Sequence, residues 1–257
     1  MRLNVIAPLK QSHFILMSGQ SNAAGYQDGG DSNTYLPRLG QLIYDCPSDE
    51  WQHLQQNWNN GGTYSIYRGS IGCEMRLMQM LKDYYGGDQF LFKYSAGGTS
   101  ISPIDSIEDP PRYNWGPESV QPYMYHGLIS SARKAFDSFP AQFIKPKVLV
   151  WIQGENDTDA EDANNYQVNF ADLIASIKRD LNLPNLKICQ TLLADTQTAY
   201  NGIGKTIVNQ AKINYSVNGN KYINIDGAEV AVGGVHFTAA GQDYIAQKIF
   251  DVLKTML

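Results

Sequence analysis

The chain has 257 residues, of which 20 are Lys or Arg and 25 are Asp or Glu, giving a net charge of −5. That length admits one or two domains with a sizeable core, 43% hydrophobic residues exclude a disordered chain, and the mild acidity without a Lys/Arg cluster excludes a nucleic-acid binder. Charged residues make up only 18%, against about 25% in ordinary soluble domains; Asn, Gln, Ser, Tyr and Gly supply the remaining polarity.

In chain order, the first expected element is a buried strand at His13–Ser18 (HFILMS). Gln27 to Gly69 comes next as a Gly-, Asn- and Gln-rich stretch with only short strand-like pieces. Gly72–Tyr85 spaces Met75, Leu77, Met78 and Leu81 as a helix does, and Phe90–Ser95 (FLFKYS) reads as the next strand. The Pro-rich Ser102–Gln121 has neither period. Pro122–Phe136 is a helix pattern, Lys147–Gln153 a strand, Ala160–Leu181 a helix, Leu186–Leu192 a strand, Ile203–Tyr215 a helix, Tyr222–Asp226 a short strand and Ala239–Met256 a closing helix. Near-continuous apolar strands alternating with helices predict an α/β fold, a three-layer α/β/α sandwich on a five-stranded parallel sheet. With no repeat or linker, a single domain over 1–257 is expected. No apolar run reaches 18 residues, so no membrane span is expected. Met1 to Lys10 lacks the apolar core of a signal peptide, and Cys46, Cys73 and Cys189 are too far apart for a disulfide framework. A cytoplasmic location is the expectation, or a secreted or periplasmic one if the chain is a mature form.

Ligands bind open α/β sheets at the carboxyl ends of the strands. The first three long strands lead into Gly19-Gln20-Ser21-Asn22, Ala96-Gly97-Gly98-Thr99 and Gly154-Glu155-Asn156-Asp157, and Val235-His236-Phe237-Thr238 precedes the last helix. Taken singly, each has a structural reading: Ser21 as a helix cap, Gly97-Gly98 as turn glycines, Asp157 or Thr158 as a cap, His236 as a core histidine before a Thr238 cap. Taken together they supply a nucleophile, oxyanion donors and a base for acyl transfer.

These four blocks, with Gly97-Gly98-Thr99-Ser100-Ile101 and Trp151-Ile152-Gln153-Gly154-Glu155-Asn156-Asp157 in full, resemble those of the SGNH hydrolases. The GQSN opening and the QGE of the third block resemble the sialate O-acetylesterase and acetyl-xylan-esterase branch, with its flavodoxin-like fold. The resemblance implies Ser21 as nucleophile, His236 as general base, and the backbone N–H groups of Ser21 and Gly97 with the Asn156 side chain as the oxyanion hole. It implies an acetylated sugar or polysaccharide as substrate. His13, His53, His126 and His236 show no ligand spacing and Gly97-Gly98 is not followed by a dinucleotide-turn spacing, so no metal and no cofactor are expected, and composition leaves neither nucleic acid nor membrane as an expected partner. Gln20, Gln153, Glu155 and Asp226 are expected to support the site. Asn22, Arg112, Tyr113 and Trp115 are expected to meet substrate, in loops that also carry Tyr26, Trp58, Tyr64, Tyr67 and Arg68.

One position departs from the family. The Asp expected three residues before the histidine is Gly233. A backbone carbonyl could hold the ring in a Ser–His dyad, a remote acid such as Asp226, Glu229 or Asp195 could replace it, or the site could be impaired. The dyad is the expectation. A general lipase-like esterase and a non-catalytic carbohydrate-binding relative are the rival readings.

Overall fold

The computed structural model describes residues 10–26, 39–54, 72–103, 114–120, 123–139 and 144–257. Its centre is the strand Gln11–Gly19 (β1), which buries both faces. Phe14 and Leu16 point into one apolar cluster, Ile15 and Met17 into the other. Burial of each such side chain contributes about 1.5–3 kcal/mol, so a slip of one residue would send the wrong set to each side.

Among the described residues the sheet has seven strands, in the order β3-β2-β4-β1-β5-β6-β7. The five expected strands are β1, Gly86–Ser95 (β4), Val148–Ile152 (β5), Lys187–Thr191 (β6) and Lys221–Ile223 (β7). The expectation of five strands is two short. Gln41–Asp45 (β2) and Glu50–His53 (β3) form a hairpin whose first strand pairs parallel with β4, while β3 runs antiparallel to β2. Both are short and carry polar residues, so neither has a distinct period. Tertiary contacts secure the edge: the Trp51 indole packs on Phe14 and Phe90 and donates to the Ala135 carbonyl (3.2 Å).

Helices cover both faces. Tyr123–Asp137 (α3), Ala160–Asp180 (α4) and Gly202–Tyr215 (α5) lie on the Phe14 side. A one-turn helix at Ser21–Ala24 (α1), Cys73–Tyr85 (α2) and Ala239–Leu253 (α6) lie on the Ile15 side. Among the described residues no helix is long and apolar enough to cross a membrane. From β1 the chain goes to β2 and β4 on one side, then crosses to β5, β6 and β7 on the other. The carboxyl end of β1 is therefore the topological switch point, where a crevice opens in this class of sheet.

Candidate active site

Ser21 lies at that switch point. β1 ends at Gly19, the Gln20 N–H donates to the Ile152 carbonyl (3.0 Å), and α1 begins at Ser21. The Ser21 carbonyl accepts from the N–H groups of Gly25 and Tyr26 (3.0 Å each), so the turn that carries the hydroxyl is closed behind it. A buried ion pair supports the far end of this turn. Lys93 Nζ donates to the Ala24 carbonyl (3.1 Å) and pairs with Glu74 (3.0 Å).

Asn22 joins the blocks. Its amide nitrogen donates to Glu155 Oε1 (2.7 Å) and the Val235 carbonyl (3.4 Å), and its oxygen accepts from the Phe237 N–H (3.4 Å). Val235 and Phe237 flank His236, so the residue after Ser21 grips the histidine loop on both sides of the ring. Glu155 is buried and accepts also from Gln197 (3.2 Å), which in turn donates to the Val235 carbonyl (3.2 Å). With its nitrogen turned to the surrounding acceptors, the Gln20 amide donates to Glu155 Oε2 (3.2 Å) and the Thr99 carbonyl (3.3 Å). A carboxylate held by three neutral amides is a hub for the loops. Next to it, Asn156 is exposed on the short 3₁₀ turn Glu155–Asp157.

The glycine turn is tied down from below. Asp157, buried, accepts from the Ser100 hydroxyl, the Ile101 N–H (3.1 Å), the Ser102 N–H (3.1 Å) and the Gln153 amide. Burial pushes its carboxyl up to about 6, against the pull of these donors. Thr99 donates to the Ala96 carbonyl (2.9 Å) and accepts from the Trp115 indole (2.8 Å). A methyl group added at Gly97 would lie 2.7 Å from Cε2 of Tyr26 and would push that ring aside. Lys212, wholly buried, donates from Nζ to the carbonyls of Gln153 and Thr191 (2.8 Å to the latter), tying the ends of β5 and β6. Burial brings its ammonium down to about 8, while Glu155 and Asp157 hold it up.

His236 is half-buried on the loop before α6, its ring edge-to-face with Tyr26 at 5.5 Å between centroids. Thr238 caps α6 by accepting from the Gly241 N–H (3.1 Å), as its place in the sequence predicts. Gly233 is exposed at φ +114°, and a Cβ there would meet nothing within 4 Å. Space does not exclude a side chain at 233; backbone conformation does. The remote acids are engaged elsewhere. Asp226 accepts from the Asp195 N–H (2.8 Å), Asp195 from the Gly227 N–H (3.1 Å), and Glu229 from the Thr238 hydroxyl (3.0 Å). Asp226 thus holds a turn between β6 and β7.

Two residues expected to meet substrate, Trp115 and Asn22, are placed otherwise, and Gln153 braces the site as expected of a supporting residue. Trp115 is 0% exposed and packs on Tyr94 and Trp151. Its indole is a core plug under the glycine turn. Asn22 is 1% exposed, with its amide used between loops. Gln153 is likewise buried, donating to the Thr99 carbonyl (3.2 Å) and accepting from the Tyr166 hydroxyl (3.1 Å). Trp58, Tyr64, Tyr67, Arg68, Arg112 and Tyr113 lie outside the described residues. Asp157, Gln197, Lys93 and Lys212 are braces that the sequence alone does not reveal. Only Asp157 leaves a trace there, as the last residue of the third block. Among the described residues no group of three or more His, Cys, Asp or Glu is placed to hold a metal ion.

Comparison with known proteins gives the family and the fold. The family described as carbohydrate esterase, sialic acid-specific acetylesterase, matches residues 11–255. A probable carbohydrate esterase of Arabidopsis thaliana is 45% identical over 49 residues, a stretch that spans 19% of this chain and 19% of that relative. The X-ray structure of an Arabidopsis thaliana protein superimposes with a TM-score of 0.76 at 20% identity, over 95% of this chain and 99% of that one. The crystal structure of NanS gives 0.70 at 15% identity, over 97% and 99%. A carbohydrate acetylesterase from Xanthomonas citri gives 0.64 at 13% identity, over 95% and 56%. These structures share the fold. The match over nearly the whole chain places this protein in the carbohydrate esterase family of sialic acid-specific acetylesterases.

Proposed function

We propose that the protein is a serine esterase that removes O-acetyl groups from an acetylated carbohydrate, working as a single domain. Ser21 Oγ attacks the acetyl carbonyl while His236 takes the hydroxyl proton. The carbonyl oxygen becomes an oxyanion held by the N–H groups of Ser21 and Gly97 and by the Asn156 amide. Collapse breaks the bond to the sugar oxygen, which leaves with the proton from His236. Water then repeats the sequence on acetyl-Ser21 and releases acetate. Fixed neutral donors suit this charge pattern, and the loss of one such donor typically costs about 10²–10³ in turnover.

The observation that carries the reading is the grip of Asn22 on Val235 and Phe237. It draws the loop of His236 onto the turn of Ser21, and Glu155 joins the Asn156 turn to the same network. Family membership supports the substrate class, and the Xanthomonas citri protein of the same fold is itself described as a carbohydrate acetylesterase. Gly233 favours a second reading, a binding protein with an impaired site.

The two separate in one assay, acetate release from acetylated sialic acid, xylan and bacterial glycans. The enzyme reading expects release by the parent chain and a loss of at least about 10³-fold in Ser21→Ala. Equal, slow release by both would overturn it in favour of the binding reading.

A further inference from the structure

We propose that Tyr26 is a positioning residue for His236, acting through ring packing. The inference rests on the roles proposed for Ser21, Gly97 and His236, and adds the part that fixes their spacing. Tyr26 touches all three groups. Its N–H donates to the Ser21 carbonyl (3.0 Å), its ring lies against Gly97, and the same ring meets the His236 imidazole edge-to-face, 5.5 Å between centroids and 74° between planes. One residue thereby joins the nucleophile turn, the glycine turn and the histidine.

The geometry explains one feature of the sequence. Glycine at 97 leaves room for the Tyr26 ring: an added methyl would lie 2.7 Å from Cε2 and 3.2 Å from Cζ and the hydroxyl oxygen. The same ring lies against the side of the His236 imidazole and restricts its rotation about χ2. An imidazole must keep one nitrogen aimed at the serine hydroxyl and then at the leaving oxygen. A flat neighbour set by the backbone at Ser21 limits that rotation, since a tyrosine has only two side-chain torsions of its own. Because the same ring rests on Gly97, base and oxyanion donor are held at a spacing set by one rigid body. Misplacement of reacting groups by about 1 Å costs on the order of 10²-fold, so this packing acts on turnover more than on binding.

The test uses the full chain with 4-nitrophenyl acetate as probe, resolving kcat from KM, beside thermal melts. Tyr26→Ala is expected to lower kcat by about 10- to 100-fold with KM within about twofold. Tyr26→Phe, which keeps the ring, is expected to recover kcat to within about threefold of the parent, and Tyr26→Leu, which keeps bulk without a flat face, is not. Gly97→Ala is expected to cost much in the parent and little more in the Tyr26→Ala background, because the clash it creates is with the ring already removed. Unchanged kcat in Tyr26→Ala, equal losses in Tyr26→Phe and Tyr26→Ala, or independent losses at 97 and 26 would each overturn the assignment. If Tyr26→Ala does not fold, the Phe and Leu variants decide on the same terms. Ser21→Ala run in parallel keeps the two proposals apart. An inactive Ser21→Ala beside a fully active Tyr26→Ala removes only the positioning role, whereas an active Ser21→Ala removes the catalytic reading beneath it.

Discussion

Replacing Asp157 by Ala strips a buried acceptor from the loops on either side of it. The Ser100 and Ser102 hydroxyls can rotate to other partners, but the N–H groups of Ile101 and Ser102 and the Gln153 amide are fixed. The Ser102 N–H keeps the Ser100 hydroxyl oxygen (3.0 Å), so two fixed donors left unsatisfied at about 1–3 kcal/mol each give a loss of roughly 2–6 kcal/mol. Removing the charge returns part of this. The rise of the carboxyl from 3.8 to about 6 corresponds to about 3 kcal/mol by which the folded state disfavours the ionised form. The net loss at pH 7 centres on about 1 kcal/mol, or about 2–4 °C in Tm for a chain of this size. Activity should fall more than about tenfold, because Ser100–Ser102 continue from the turn that carries Gly97.

The pH dependence carries its own sign. Between about pH 4 and 6 the folded protein keeps a proton on Asp157 that the unfolded chain has lost, so this group contributes less stability as pH rises through the window. His13 works in the opposite sense. Burial, with a smaller effect of Lys147, lowers it from 6.5 to about 4, so its contribution is lost as pH falls from 6.5 towards 4. Asp157→Asn removes the first effect and leaves the second. Its stability deficit relative to the parent should therefore widen by about 2 kcal/mol from pH 7 to pH 4.5. Thermal melts by circular dichroism at both pH values measure this. A pH-independent deficit in Asp157→Asn, or a Tm for Asp157→Ala at or above that of the parent at pH 7, would refute the reasoning.

Lys93→Met leaves Glu74 buried and unpaired, at an expected cost of about 3–5 kcal/mol. The double variant with Glu74→Leu should recover most of that in chemical denaturation, while activity stays reduced because Lys93 also holds the Ala24 carbonyl behind Ser21. Gly233→Asp, which restores the residue usual in the family, should not raise kcat. At φ +114° it should instead lower stability by about 1–3 kcal/mol; a tenfold gain in kcat with unchanged Tm would show that the loop accepts an acid and that the enzyme had lost one.

The periodic parts of the fold are legible in the residues. Alternating apolar strands and helices specify burial by their period alone, so β1, β4, β5, β6, β7 and helices α2 to α6 fall close to where their patterns put them. The β2–β3 hairpin is not legible, since Trp51 gains its partners from Phe14, Phe90 and α3, distant in sequence. The four blocks carry the proposed chemistry, because Ser, Gly, Asn and His are the groups that acyl transfer requires. What each neighbour does depends on burial and partners, which no local pattern encodes. Trp115 can be told from a sugar platform only by its enclosure against Trp151 and Tyr94. Asn22 and Gln153 become braces only when loops far apart in the chain close around their amides. The low charge content has a physical meaning in this light. The site is held by Asn, Gln, Ser and Thr hydrogen bonds around two buried carboxylates, Glu155 and Asp157. Composition set that supply of neutral donors, and the tertiary structure decided which of them face one another.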